Sequence, residues 1–279
     1  MAFRIAQISD THLSAAHPEF SVNFEVLAAH LRATRPDLVI HTGDVSAHGE
    51  TGPEDLRYAR GRMDGLGLDW LAVPGNHDVG NDPALGGATA ADATRLAHWR
   101  EAFGPDRFLR DVPGWRLIGL DTLIMATDLP EAAAQFDVLE AALATAGGRS
   151  IALFQHKPLC EERMDETALT YWPVLPAPRR RMLELLARHP VAFVASGHVH
   201  QARDRGVSEG IRQIWAPAVA FLVGDTWQRR IGDKTPGYVE HALHADGRFE
   251  SRVIHPEGLV PHDIGLLPEI YGPQQPVAA

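Results

Sequence analysis

Short apolar runs alternate with amphipathic stretches through the first two thirds of the chain. Phe3 to Ser9 is one such run, and its polar stop at Asp10-Thr11-His12 predicts a buried strand. Phe24, Leu27, Ala28 and Leu31 recur at helical spacing within Phe20 to Arg35, and Pro36 ends that helix. Leu38-Val39-Ile40-His41 reads as a second strand, closed by Thr42-Gly43-Asp44. Pro53 to Gly65 reads as a helix with proline in its first turn, and Trp70 to Val73 as a third strand running into Pro74-Gly75-Asn76-His77-Asp78. This strand–helix–strand rhythm predicts an α/β fold with largely parallel pairing.

Residues 79 to 114 are less regular, with a loop at Gly86-Gly87 and a helix over Ala90 to Phe103. Further strands are predicted over Trp115 to Asp121, Ser150 to Gln155 and Val191 to Ser196, with helices over Gln135 to Ala146 and Arg179 to Arg188. Lys157 to Pro178, proline-rich after Tyr171, reads as a long ordered loop. Ile211 to Trp215, Gly237 to Leu243 and Arg248 to Ile254 read as antiparallel strands, with Asp246-Gly247 as a hairpin turn. The expected organisation is a main unit over 1–255 and a Pro- and Gly-rich extension over 256–279 that wraps the surface or frays.

Composition narrows the function classes. A formal charge of -10 argues against a nucleic acid polymer as partner, because a phosphate backbone calls for a basic face. The single cysteine, Cys160, excludes an internal disulfide and a Cys-based zinc site. No run of about 18 apolar residues suggests a membrane span, and no export signal opens the chain, so a cytoplasmic protein without a membrane partner is expected. A homo-oligomer stays open. Histidine is the outlier, with 15 copies.

Those histidines gather where predicted strands end. Five polar clusters do so: Asp10-Thr11-His12, Gly43-Asp44, Gly75-Asn76-His77-Asp78, His156, and Gly197-His198-Val199-His200. Ligand sites of α/β sheets form at the carboxyl ends of strands, where loops converge on a fixed frame. Carboxylate, amide oxygen and imidazole together are the donor set of a hard or borderline metal. Asp10 and His12, like His198 and His200, are two apart, so an extended segment would point both side chains the same way. Each cluster alone is weak, since Asp, Asn and Gly favour turns anyway. Five in this order are a stronger signal.

The ordered set resembles the calcineurin-like metallophosphoesterase superfamily, whose pattern is Asp-x-His, Gly-Asp, Gly-Asn-His-Asp/Glu, His and Gly-His-x-His; the likeness spans residues 10 to 200. It implies a four-layer αββα sandwich, two mixed sheets flanked by helices. Carried over by position, it implies one metal on Asp10, His12, Asp44 and His200, and a second on Asn76, His156 and His198, bridged by Asp44. The expected cofactor is a pair of divalent ions, Mn, Fe, Co or Zn. The expected reaction is hydrolysis of a small soluble phosphoester, a bridging hydroxide attacking phosphorus. His77 would face the substrate and protonate the leaving oxygen or stabilise charge, with Asp78 orienting it and Asn76 adding a substrate contact.

Branches of the superfamily separate on local detail. Protein phosphatases follow Gly-Asp with a segment containing Asp-Arg-Gly, whereas this chain reads Gly-Asp-Val-Ser-Ala-His-Gly. The tyrosine ligand of purple acid phosphatases would fall on Ala47. The compact Gly43 to Gly49 segment is most similar to bacterial cyclic-nucleotide and glycerophosphodiester phosphodiesterases, although their His-His-Pro is His156-Lys157-Pro158 here. A phosphodiesterase is therefore the leading expectation, with Lys157 on an anionic part of the substrate and Tyr171-Trp172 stacking on it or walling the pocket. A phosphomonoesterase or broad phosphatase, and a non-catalytic scaffold that kept the fold, are the alternatives. His17, His41 and His48 lie near the motifs, Arg179-Arg180-Arg181 reads as a solvated basic run, and Cys160 as a passive thiol.

Overall fold

The apolar runs form two stacked sheets in a computed structural model that describes residues 2–276. The first sheet comprises β1 (Phe3–Ile8), β2 (Leu38–His41), β3 (Trp70–Ala72), β10 (Tyr238–Leu243) and β11 (Phe249–Ile254), in the order β11-β10-β1-β2-β3. The second comprises β4 (Phe108–Val112), β5 (Trp115–Leu120), β6 (Ser150–Gln155), β7 (Val191–Ser196), β8 (Arg203–Ser208) and β9 (Ile211–Trp215), in the order β4-β5-β6-β7-β9-β8. In the first sheet β1, β2 and β3 pair parallel while β10 pairs antiparallel with both β1 and β11; in the second, β5, β6, β7 and β9 pair parallel and the edge strands β4 and β8 pair antiparallel.

Both faces of each sheet are covered, which is why the central strands are apolar at nearly every position. Ile5, Leu38, Ile40 and Val239 of the first sheet pack against Leu117, Ala152, Phe154, Phe193 and Ile214 of the second. The opposite face of the first sheet (Ala6, Ile8, Val39) packs on α1 (Pro18–Thr34), α2 (Pro53–Asp64) and α4 (Ala93–Phe103). The outer face of the second (Ile118, Ile151, Leu153, Val194) packs on α5 (Pro130–Ala144) and α6 (Pro176–Leu186). The layers are helix, sheet, sheet, helix, the expected αββα sandwich.

Several details differ from the sequence reading. Ile211–Trp215 is not part of an antiparallel set with Tyr238–Leu243 and Phe249–Ile254. It runs parallel to β7 in the second sheet, and its antiparallel neighbour is β8. Helices α5 and α6 start five and three residues earlier than the apolar spacing indicates, each with proline in its first turn. A four-residue helix, α3 (Asn76–Val79), follows β3 directly. Residues 256–276 run back over the first sheet's helical side and end in a second short helix, α7 (Pro268–Tyr271), whose Ile270 is buried with Phe20 and Phe221. Residues 277–279 of the expected extension lie outside the described residues.

Candidate metal centre

The loops that leave β1, β2, β3, β6 and β7 meet at one rim of the sandwich. Two of them run alongside each other: Asp10 and His12 donate their backbone N–H groups to the Gly43 and Asp44 carbonyls, both at 3.0 Å. The sheet fixes the strand ends, so the side chains that follow are placed by the fold rather than by flexible loops. Asp10, His12, Asp44 and His200 form one buried cluster, and Asp44, His156 and His198 a second; in each, the candidate donor atoms all lie within 4.8 Å of one another. Asp44 belongs to both, with Oδ2 at 3.3 Å from His156 Nε2 and 3.8 Å from His12 Nε2. Asn76 joins the second cluster through Oδ1, at 3.2 Å from His156 Nε2. All seven residues proposed as ligands from the sequence are thus brought together.

The geometry is not the one that alternation suggests. Asp10, His12, Asp44, His198 and His200 all have positive φ, between 42° and 67°, so neither Asp-x-His nor His-x-His is extended. The left-handed region is costly for residues with a Cβ, and its recurrence here marks loops held in place by their surroundings. Close packing requires a glycine as well: a Cβ on Gly75 would overlap Asp44 Oδ1 and its backbone nitrogen.

Hydrogen bonds fix which imidazole nitrogen faces inward. His156 donates Nδ1–H to the Thr42 carbonyl at 2.8 Å, and His200 donates Nδ1–H to the Phe221 carbonyl at 2.9 Å. His198 instead donates Nε2–H to the Tyr171 carbonyl at 3.2 Å. Such partners orient metal-binding histidines and set their tautomers. His12 Nδ1 bonds the Tyr271 hydroxyl at 2.8 Å, leaving the Nε2 atoms of His12 and His200 facing each other at 3.4 Å. Asp10 Oδ1, buried and without a hydrogen-bond partner, lies 3.2 Å from His200 Nε2. Lone pairs converging on a buried carboxylate fit a cation between them.

Electrostatics point the same way. Burial, reinforced by neighbouring imidazoles, holds His12 and His198 well below the usual histidine range, so both are neutral imidazoles able to accept a cation. Burial alone would lower His156, but the adjacent Asp44 carboxylate reverses this and raises it to about 9. Burial would raise Asp44, yet the facing His156 and His77 hold it well below the carboxylate norm. In this arrangement a proton on His156 occupies the role that a metal would take over.

Two expectations about neighbouring residues need correction. Asp78 does not orient His77. Its buried carboxylate accepts N–H bonds from Val45 at 3.1 Å, Ser46 at 2.8 Å and Gly75 at 2.8 Å, and the Ser46 hydroxyl at 2.6 Å. It therefore ties the loop after β2 to the loop after β3. The His77 ring is held by the Ala47 carbonyl, at 3.1 Å from Nδ1. Lys157 does not face the pocket. Its buried ammonium donates to Asn81 Oδ1 and the Tyr171 carbonyl, each at 2.8 Å, and burial lowers it to about 8. Lys157 is a strut beneath the 157–175 loop.

A cavity of about 320 Å³ opens above the clusters. His77, Tyr171 and Trp172 line it, as expected of them, and Asn76 Nδ2 donates to the Tyr171 hydroxyl at 3.1 Å. The rest of the wall was not read from the sequence: Phe221, Val223, Trp227, Ile264, Tyr271 and Gln274. The one available signal was a cluster of large apolar residues inside segments otherwise rich in Pro and Gly. His17 and His48 pair with each other at 3.1 Å between Nε2 atoms, and His41 is buried on Thr11 and the Gly43 amide. Cys160 is buried, bonded to Gln213 and Arg205.

Comparison with known proteins agrees with this geometry. A probable cyclic nucleotide phosphodiesterase of Xenorhabdus bovienii is 23% identical over 214 residues, 72% of this chain and 79% of that protein. A dimetal phosphatase from Danio rerio shares the fold at a TM-score of 0.61 and 15% identity, over 92% of this chain and 99% of that one. GAP50, described as the anchor in the inner membrane complex of Plasmodium, also shares it at 0.61 and 15% identity, over 92% and 86%. Among the described residues no helix is long and apolar enough to cross a membrane. The pattern of the calcineurin-like phosphoesterase family matches residues 3–202, which contain every residue of the two clusters, and the chain belongs to that family.

Proposed function

We propose that the protein is a binuclear metal-dependent phosphodiesterase acting on small phosphodiesters. One ion would be held by Asp10, His12, Asp44 and His200, the other by Asp44, Asn76, His156 and His198. Bound there, a pair of divalent ions lowers the pKa of a water and neutralises charge on the phosphoryl oxygens. His77 sits at the rim with Nδ1–H committed to the Ala47 carbonyl, so it is the imidazolium form, with a second proton on Nε2, that hands a proton to the departing alkoxide and is left as the neutral ring. Tyr171, Trp172 and Phe221 exclude water and flank the organic arms of the substrate.

The observation that carries diester over monoester is the pocket lining. Among the described residues that line it there is no lysine or arginine, and the cation expected from the sequence, Lys157, is buried beneath the loop. A phosphate monoester carries nearly two negative charges at neutral pH, a diester only one. Beyond the metals and His77, this wall offers aromatic and aliphatic surface, which suits a monoanion with organic groups on both sides. The test is turnover by Mn(II)-loaded protein on bis-nitrophenyl phosphate, nitrophenyl phosphate, a nitrophenyl phosphonate ester and cyclic AMP. Faster diester turnover supports the proposal; strong monoester preference replaces it with a phosphatase; metal-replete protein inert on all four leaves a scaffold.

A further inference from the structure

We infer that the C-terminal segment completes the catalytic centre, with Tyr271 as a positioning residue for both His12 and His77; this rests on the hydrolase reading above. The segment is clamped by specific bonds. The Asn23 side chain donates to the Val260 carbonyl and accepts from its amide, both at 2.8 Å. Leu222 and the 262–264 stretch exchange backbone bonds of 2.8 and 3.1 Å, and Asp263 Oδ1 accepts the Gly224 amide at 3.1 Å. Ile264 and Ile270 are buried against Phe20, Ala220 and Phe221. This anchoring delivers the Tyr271 hydroxyl to a ligand 259 residues away in sequence.

The hydroxyl occupies a defined place in the bonding pattern. It donates to the Ala47 carbonyl at 3.2 Å and accepts from His12 Nδ1 at 2.8 Å. The same carbonyl accepts from His77 Nδ1 at 3.1 Å, and the Tyr271 ring lies 4.6 Å from the His77 ring. One carbonyl and one phenol thus set the orientation of a metal ligand and of the proton donor together. Without the hydroxyl, the His12 Nδ1–H is left buried and unpaired, and the imidazole loses the partner that fixes its inward tautomer. Removing such a partner commonly weakens metal affinity or activity by about 10–100-fold.

The experiment is Mn(II) binding by calorimetry and steady-state kinetics on bis-nitrophenyl phosphate, comparing the full chain with its Tyr271→Phe variant. Phenylalanine keeps the ring and the wall, so the comparison reads the hydroxyl alone. The expected result is a modestly lowered urea midpoint at unchanged m-value, one of two Mn(II) sites weakened about 10-fold or more, and kcat reduced with KM little altered. Wild-type protein that binds two Mn(II) and hydrolyses the diester, matched by Tyr271→Phe in affinity and kcat, overturns the inference alone. Wild-type protein that takes up no Mn(II) overturns the hydrolase reading and this inference with it.

Discussion

Asp78→Asn separates a buried tie between two loops from a catalytic partner of His77. The carboxylate accepts four bonds, two on each oxygen: Val45 and Gly75 amides on Oδ2, the Ser46 amide and hydroxyl on Oδ1. Asparagine has the same shape but turns one oxygen into a donor. The least damaging orientation places the new NH2 toward Ser46, whose hydroxyl can rotate to accept it. The Ser46 amide then has no acceptor, which costs about 1–3 kcal/mol for a buried N–H. Neutralising the acceptor weakens the two remaining charge-assisted bonds by about 1 kcal/mol together, but also removes a charge that burial and the nearby Asp44 disfavour, raising Asp78 to about 6, and the two roughly offset. The total is about 1–3 kcal/mol, read as a lower urea midpoint at constant m-value. Mn(II) affinity falls as well, because Asp44 and Asn76 lie on the two loops being untied. A loss below about 0.5 kcal/mol, the size of a surface substitution, refutes the reasoning. So does a variant of full stability whose kcat–pH profile alone has shifted.

Replacing Lys157 with Met removes the bonds to Asn81 and Tyr171 and lowers stability by about 1–3 kcal/mol, the loss being limited because burying the ammonium is itself costly. The ratio of diester to monoester turnover should stay the same; a changed ratio would return Lys157 to the substrate. His77→Ala should retain two Mn(II) by calorimetry and lose about 10²- to 10⁴-fold in kcat, and loss of metal would mean the residue is a ligand. Glu50, half-enclosed and with Oε2 unpartnered, is raised by burial from 4.5 to about 7. The unfolded chain gives up this proton first, so stability should fall as pH rises from about 4.5 to 7 and then level off, by up to about 3 kcal/mol. Glu50→Gln should flatten that decline in urea titrations across pH, and an unchanged slope would count against the burial argument.

Central strands and their polar stops were legible because burial on both faces leaves an unbroken apolar run. The two edge strands of the second sheet were not. Arg203–Ser208 carries three charged residues, and Phe108–Val112 has an exposed middle, as edges that must not pair further commonly do. Pro130 and Pro176 resemble loop residues in sequence yet open helices. The candidate metal cluster was readable as residue types at strand ends, but its left-handed backbone was not, since spacing carries no dihedral. The partners of Asp78 and Lys157 are long-range contacts, and no local pattern says that a carboxylate beside a histidine will bond amides 32 and 33 residues upstream. Tyr271 was hidden for the same reason.

The family match ends at residue 202, and the six pocket residues from Phe221 to Gln274 all lie after it. The candidate metal cluster and most of the apolar pocket wall are therefore encoded in successive stretches of one polypeptide, joined at a phenol–imidazole contact. A drifting or engineered tail could exchange the molecules admitted while every donor atom beneath stays where it is, so long as a hydrogen-bonding group still reaches His12.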